Sequence, residues 1–248
     1  MSTERVLSGF IIKSQDLSEA DLLLTFLTED EGKVRAMVKS AKKMTSKLSG
    51  NLQPYNLVKI TLAGNGGLAK VINVVLIEKY AEVMQSSLAM HAVLAMQELV
   101  LRSLADGQPN SDLYRIYNHS LRQLNDHPQQ SPQVVSEFYL HSLIALGFAP
   151  RLLEQRPVPD FKQIYFSYSD GSFSLDYSSG AGQSISRSAY NMLKDLLSPE
   201  SVIHENRGAA DVLDARESDV KELLMLLTKF ASFQLERELR APSYFLVI

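Results

Sequence analysis

Lys33, Arg35, Lys39, Lys42, Lys43, Lys47, Lys59 and Lys70 fall between residues 32 and 77, with no Asp or Glu among them. At the chain's overall composition a stretch of that length would hold about five acids, so the gap in negative charge is local. Ammonium and guanidinium groups gathered without carboxylates do one kind of chemistry well, which is to hold phosphate or another anion. The chain average hides this: formal net charge is -3, yet residues 1–80 carry 11 Lys/Arg against 8 Asp/Glu, and residues 81–248 carry 14 against 20. A basic first third predicts a polyanionic partner for that part and different work for the rest. The competing reading is a solvated surface, but ordinary surfaces interleave both signs.

Other chemistry finds little support. The chain has no cysteine, which excludes disulfides, thiolate nucleophiles and Cys-ligated metal, and suits a reducing compartment. None of His91, His119, His127, His141 and His204 stands four residues from another, and His91 and His141 read as packed or boundary residues. Gly64-Asn65-Gly66-Gly67 before Lys70 is a hairpin turn, lacking the spacing and the helix of a phosphate-binding loop. Ser40-Ala41-Lys42-Lys43 matches a Ser-x-x-Lys pair without its companion motifs, and Glu29, Asp30 and Glu31 read as a solvated turn. No nucleophile, base and oxyanion donor come together, so the expectation is a non-enzymatic binding protein with no cofactor and no metal.

The elements that must position the cations are strands. Residues 6–14, 21–28 and 33–39 read as a β-meander with a turn at residues 29–32. In the third strand Val34, Ala36 and Val38 share one face, and Lys33, Arg35, Met37 and Lys39 share the other. Residues 40–51 form a long Lys- and Ser-rich loop, and strands resume at 55–62 and 68–79. Five short strands with one long loop fit a barrel of the OB type, although spacing alone also allows an SH3-like barrel. Lys33, Arg35, Lys39, Lys42, Lys43, Lys47 and Lys59 are the candidate phosphate contacts, with Phe10, Tyr55 and Tyr80 as candidate base-stacking platforms.

From about residue 83 the apolar period becomes helical, predicting helices over 86–104, 111–124, 132–146, 186–197 and 216–239. A β-hairpin about Asp170-Gly171 interrupts them over 164–177. The expected class is thus α+β: a five-stranded OB barrel over residues 1–80, then a mostly helical domain over 81–248 carrying the hairpin. Phe138, Leu140, Leu143 and Ile144 make an apolar stretch that reads as core or as a groove for a partner peptide. No apolar segment approaches the roughly 18 residues of a membrane span and the N-terminus has no apolar leader, so a cytoplasmic, soluble protein is expected.

The order of motifs resembles a known family. Glu19 with Asp21, residues 28–34 (TEDEGKV), the basic residues 39–43 and residues 50–55 (GNLQPY) follow one another as in the N-terminal domain of RecO, the bacterial recombination mediator. Residues 138–148 (FYLHSLIALGF) are similar to that family's helix ending in Leu-Gly-Tyr/Phe, and residues 238–245 to its C-terminal segment. Many relatives carry four cysteines around the hairpin; this chain has none, so Tyr165, Phe166, Tyr168, Phe173 and Tyr177 are expected to hold that region by packing in place of zinc. The resemblance implies binding of single- and double-stranded DNA, annealing of complementary strands, contact with the C-terminal tail of single-strand-binding protein and with RecR, and indirect help in loading RecA. In the family the tail's acids meet basic residues; here Ser136 and Glu137 precede Phe138, so Arg122 or Arg151 would have to supply the cations. The residues alone leave two alternatives, a protein-interaction adaptor whose barrel takes an acidic tail and an RNA-binding OB-fold, which RNA preference would reveal.

Overall fold

Alternating side chains close the first part of the chain into a ring of strands. A computed structural model describes residues 4–42, 51–64, 68–153, 163–176, 182–198 and 216–245. Strands β1 (Glu4–Asp16), β2 (Leu22–Thr28), β3 (Gly32–Val38), β4 (Leu57–Ala63) and β5 (Ala69–Glu78) form a closed barrel in the order β1-β2-β3-β5-β4. All pairs are antiparallel except β3–β5, where Ala36 faces Ala69 and Met37 faces Lys70. That parallel closure is the OB arrangement and sets the SH3-like alternative aside. Leu24, Phe26, Val34, Ala36, Ile60 and Val71 point inward to the barrel core. Burying each of the larger apolar side chains contributes about 1.5–3 kcal/mol relative to exposure.

Three local devices hold the barrel's irregular segments, and they coincide with the motifs singled out above. Asp21 Oδ1 accepts the Ser40 N–H at 2.7 Å, fixing Ser40 in a left-handed conformation (φ 53) where the basic loop leaves β3. Thr28 Oγ1 donates to the Gly32 carbonyl at 2.9 Å and accepts the Glu31 N–H at 3.2 Å, closing the β2–β3 turn. Leu52 is buried in the barrel core, and the Tyr55 N–H donates to the Ile11 carbonyl at 2.7 Å while the Ile11 N–H donates to the Asn56 carbonyl at 3.1 Å. These bonds hook the chain leaving the loop onto β1 before β4 begins.

Helices α1 (Ala81–Gln85), α2 (Ser87–Ser103), α3 (Ser111–Asp126), α4 (Ser131–Ala145), α5 (Arg187–Leu196) and α6 (Glu217–Gln234) follow. By contact density the chain divides into two compact units, residues 1–81 with 103–121, and residues 82–102 with 122–248. In the first unit Phe10 lies on the outside of the barrel and packs at 5.5 Å and 5.2 Å from the rings of Tyr114 and Tyr117.

In the second unit α4 is buried on most sides, with Val134, Phe138, Tyr139, Leu140 and Leu143 fully enclosed and the Tyr139 hydroxyl donating to the Ala95 carbonyl. The predicted hairpin is β6 (Ile164–Ser167) with β7 (Ser172–Ser174), and a third strand, β8 (Gly182–Ile185), joins it in the order β7-β6-β8. β8 escapes the sequence because Gly182, Gln183 and Ser184 give no apolar alternation. Phe166 centres the packing expected there, 4.6 Å from Phe173 and 4.9 Å from Phe230, and Phe173 lies 5.0 Å from Tyr190. Tyr177 lies outside the described residues. The last helix, predicted to reach residue 239, ends at Gln234 because Glu236 turns left-handed (φ 52) and the Arg237 N–H bonds back to the Ser232 carbonyl. A glycine would have announced that stop; Glu236 does not.

Glu137 sits on α4 with no hydrogen bond or ion pair among the described residues, and burial pushes its carboxyl from 4.5 up to about 7. Between those two values the folded protein keeps a proton that the unfolded chain has lost, so stability falls as pH rises through this window. Glu137→Gln is therefore expected to stabilise the protein at pH 8 by about 1–2 kcal/mol and to have little effect below pH 4.5. Thermal melts of both proteins at pH 4.5, 6 and 8 check this; a difference independent of pH would contradict it.

Candidate nucleic-acid interface

The outward face of β3 presents Lys33, Arg35 and Met37, as alternation requires, while Val34, Ala36 and Val38 fill the barrel; Lys39, expected on the same strand, is the first turn residue after it. Arg35 and Lys39 are exposed. Lys70 stands beside them, because the parallel register places it against Met37, between the two. Sequence reasoning counted Lys70 in the basic run but did not include it in the site; the signal lay in the closure of the barrel.

The remaining candidates fall into three kinds of position. Lys33 is a structural cation: its side chain is only 11% exposed, and its ammonium donates to the Leu104 carbonyl at 2.8 Å and pairs with Asp106 at 3.3 Å. The expected phosphate contact is thus replaced by an internal one, since a largely buried lysine must keep its counter-charge. Lys42, at the mouth of the basic loop, pairs with Asp16 at 2.6 Å and donates to the Ser18 carbonyl. Lys43 and Lys47 lie outside the described residues. Lys59 is exposed on β4, two strands from β3, and its register partners are Ser8 on β1 and Val75 on β5.

The acid-free run is therefore not acid-free in space. Asp106 also approaches Arg35, at 3.9 Å, so one carboxylate from residues 103–121 faces two cations of β3. Asp16, from before the run, meets Lys42. Neither pairing has a signal in the sequence, because each partner lies outside the window in which charge was counted.

Two of the three proposed stacking platforms are corrected. Phe10 and Tyr80 are buried, packed on each other at 6.4 Å, because the barrel's outer wall there is covered by aromatic residues of the same unit. Tyr55 is half-buried in the turn that hooks onto Ile11, its left-handed backbone (φ 69) set by that turn. The reading of Phe138, Leu140 and Leu143 as a groove is corrected likewise: all three are fully buried, because α4 is enclosed by its neighbours, and of the four only Ile144 is exposed. Arg151 donates to the Asp170 carbonyl within the hairpin turn, while His91 stacks on Tyr244 at 5.1 Å. Among the described residues no group of three or more His, Asp or Glu is placed to hold a metal, and no helix is long and apolar enough to cross a membrane.

What remains on the described surface is an open cationic row, Arg35, Lys39 and Lys70, running toward Lys42 at the root of the basic loop. Its groups are positioned by strand register, and they offer charge and N–H donors without base-reading geometry.

Comparison with known proteins agrees with this architecture along most of the chain. Residues 1–80 match the family described as Recombination protein O N terminal, and residues 84–242 match Recombination protein O C terminal. The DNA repair protein RecO of Bifidobacterium adolescentis is 25% identical over 243 residues, covering 94% of this chain and 95% of that protein. Those of Gloeothece citriformis and Acaryochloris marina are 29% and 30% identical over 156 and 153 residues, covering 62% and 61% of this chain. These two alignments span 55% and 52%, about half, of the relatives' own length. With both halves of the chain matched in order, the protein belongs to the RecO family of DNA repair and recombination proteins.

Proposed function

We propose that this chain binds the backbones of single- and double-stranded DNA through the cationic row of its barrel, anneals complementary strands, and assists RecA loading together with RecR and the tail of single-strand-binding protein. The observation that carries the DNA part is the juxtaposition of Arg35 and Lys70 on the outer face of the β3–β5 pairing, with exposed Lys39 directly after β3. Membership of the family supports the rest. Sequence preference is weak, because phosphates carry no base identity. Annealing follows from the same face: cations screen the repulsion between two backbones while they search for register. Such work belongs in the cytoplasm, at the nucleoid.

The test is annealing of two complementary fluorescent strands by wild-type protein and by a Lys42→Glu/Lys43→Glu/Lys47→Glu variant. The variant is expected to anneal at least about tenfold more slowly at low salt while keeping its circular dichroism, since three phosphate contacts from the loop are reversed. An unchanged rate removes the loop from the mechanism.

A second reading, a protein-interaction adaptor, is favoured by one feature of the same unit. Val6, Leu68, Ile72, Val75 and Ile77 are between 40% and 58% exposed, mostly on the outer side of β5, with Lys59 beside Val75. Exposed apolar side chains on neighbouring strands suit a protein surface better than a phosphate backbone. Val75→Glu separates the two: loss of RecR binding with DNA binding intact assigns this face to the adaptor role.

A further inference from the structure

Two carboxylates sit where phosphates of the proposed DNA contact would have to go. Asp106 places Oδ1 3.3 Å from the Lys33 ammonium and Oδ2 3.9 Å from the Arg35 guanidinium. Asp16 places Oδ1 2.6 Å from the Lys42 ammonium. A carboxylate and a phosphodiester present the same group to a cation, two oxygens sharing one negative charge. Both acids enter from outside the acid-free run, one from each side in the chain.

We propose that Asp16 and Asp106 are affinity-setting residues: in the free protein each occupies a phosphate position on the cationic row, and a nucleic-acid backbone binds by displacing them. This rests on the DNA-binding reading above. The exposures support exchange and not permanent pairing. Asp16 is 76% exposed and Asp106 53%, so either side chain can swing into water. Arg35, 48% exposed and at the limit of pairing distance, is free to turn to a phosphate, whereas Lys33, 11% exposed and bonded to the Leu104 carbonyl, stays in place. Asp106 thus has two roles, counter-charge for Lys33 and competitor for Arg35. The consequence is binding that is weaker than the cations alone would give, which suits a protein that must let strands go after pairing them.

Removing the competitors is expected to tighten binding. With a fluorescein-labelled 30-nucleotide oligothymidylate at about 50 mM salt, Asp106→Asn and Asp16→Asn should each bind about threefold more tightly than wild type, and the double variant about tenfold, with the advantage shrinking as salt screens the charges. The double variant should also show a steeper salt dependence, by up to about 0.7 in the log–log slope for each cation freed. Asn keeps the shape and an acceptor oxygen, and thermal melts identify any variant that has lost its fold. Asp112→Asn is the control: this acid, 68% exposed, pairs with Arg115 on α3 in the same unit and shares the net-charge change without touching the cationic row. Variants that bind no more tightly than wild type, or an Asp112→Asn variant that gains as much, overturn the proposal. A wild-type protein that does not bind the oligonucleotide overturns the DNA-binding reading itself, so the two failures are told apart.

Discussion

Gly32→Ala is expected to cost the first unit at least about 3 kcal/mol and to lower its melting temperature by ten degrees or more. Two causes add. Gly32 has φ 63, where a Cβ costs about 1–2 kcal/mol. That Cβ would also collide with the Gln108 carbonyl and lie 2.8 Å from the Pro109 nitrogen, both of them backbone that no rotamer change can move. The neighbourhood is fixed from both sides, since the Thr28 hydroxyl donates to the Gly32 carbonyl and the Gly107 N–H donates to the Lys33 carbonyl at 2.9 Å. Urea titration of the variant and wild type checks this. A loss below about 1 kcal/mol would mean that residues 107–109 yield easily, and that the position of Asp106 is set by something else.

The fold was legible where one period ruled. Alternation in residues 33–39 placed Arg35 outward and Val34 and Ala36 inward, as the barrel has them, while Lys39 proved to lie just past the strand. The motifs that resemble the RecO family proved to be positioning devices: Asp21 caps Ser40, Thr28 closes on Gly32, and Tyr55 hooks onto Ile11. What the sequence hid was contact at a distance. Lys33 and Arg35 stand two apart on one strand face, yet Asp106 draws the first into structure and meets the second only at 3.9 Å, and nothing within residues 32–77 reports an acid some seventy positions away. Aromatic residues misled in the same way, since Phe10 and Tyr80 look like stacking platforms until the fold buries both and packs Phe10 against Tyr80, Tyr114 and Tyr117. The short strand β8 has no period to read, and the early stop of α6 at a left-handed glutamate has no glycine to mark it.

The second large effect concerns the row itself. Arg35→Glu with Lys39→Glu reverses two exposed charges on the open face and is expected to weaken single-strand binding by about a hundredfold at 100 mM salt, while removing about 1.4 from the log–log salt slope. Both side chains point away from the barrel core, so the melting temperature should stay within a few degrees. Lys59→Glu is the spatial contrast: it makes one such charge reversal within the same acid-free run, but two strands away, and should weaken binding by less than about fivefold, whereas Arg35→Glu alone should weaken it by about tenfold. If Lys59→Glu matched Arg35→Glu, the interface would follow the run in the chain and not the row beside β3 and β5.

Fluorescence anisotropy of a labelled oligothymidylate titrated with wild-type protein across a fourfold range of salt tests the central claim most directly. With Arg35, Lys39, Lys42, Lys43, Lys47 and Lys70 each neutralising one phosphate, log affinity should fall against log salt with a slope near about -4.2, a loss of roughly three hundredfold over the range. A slope shallower than about -1, or no binding at the lowest salt, would contradict a phosphate-binding barrel.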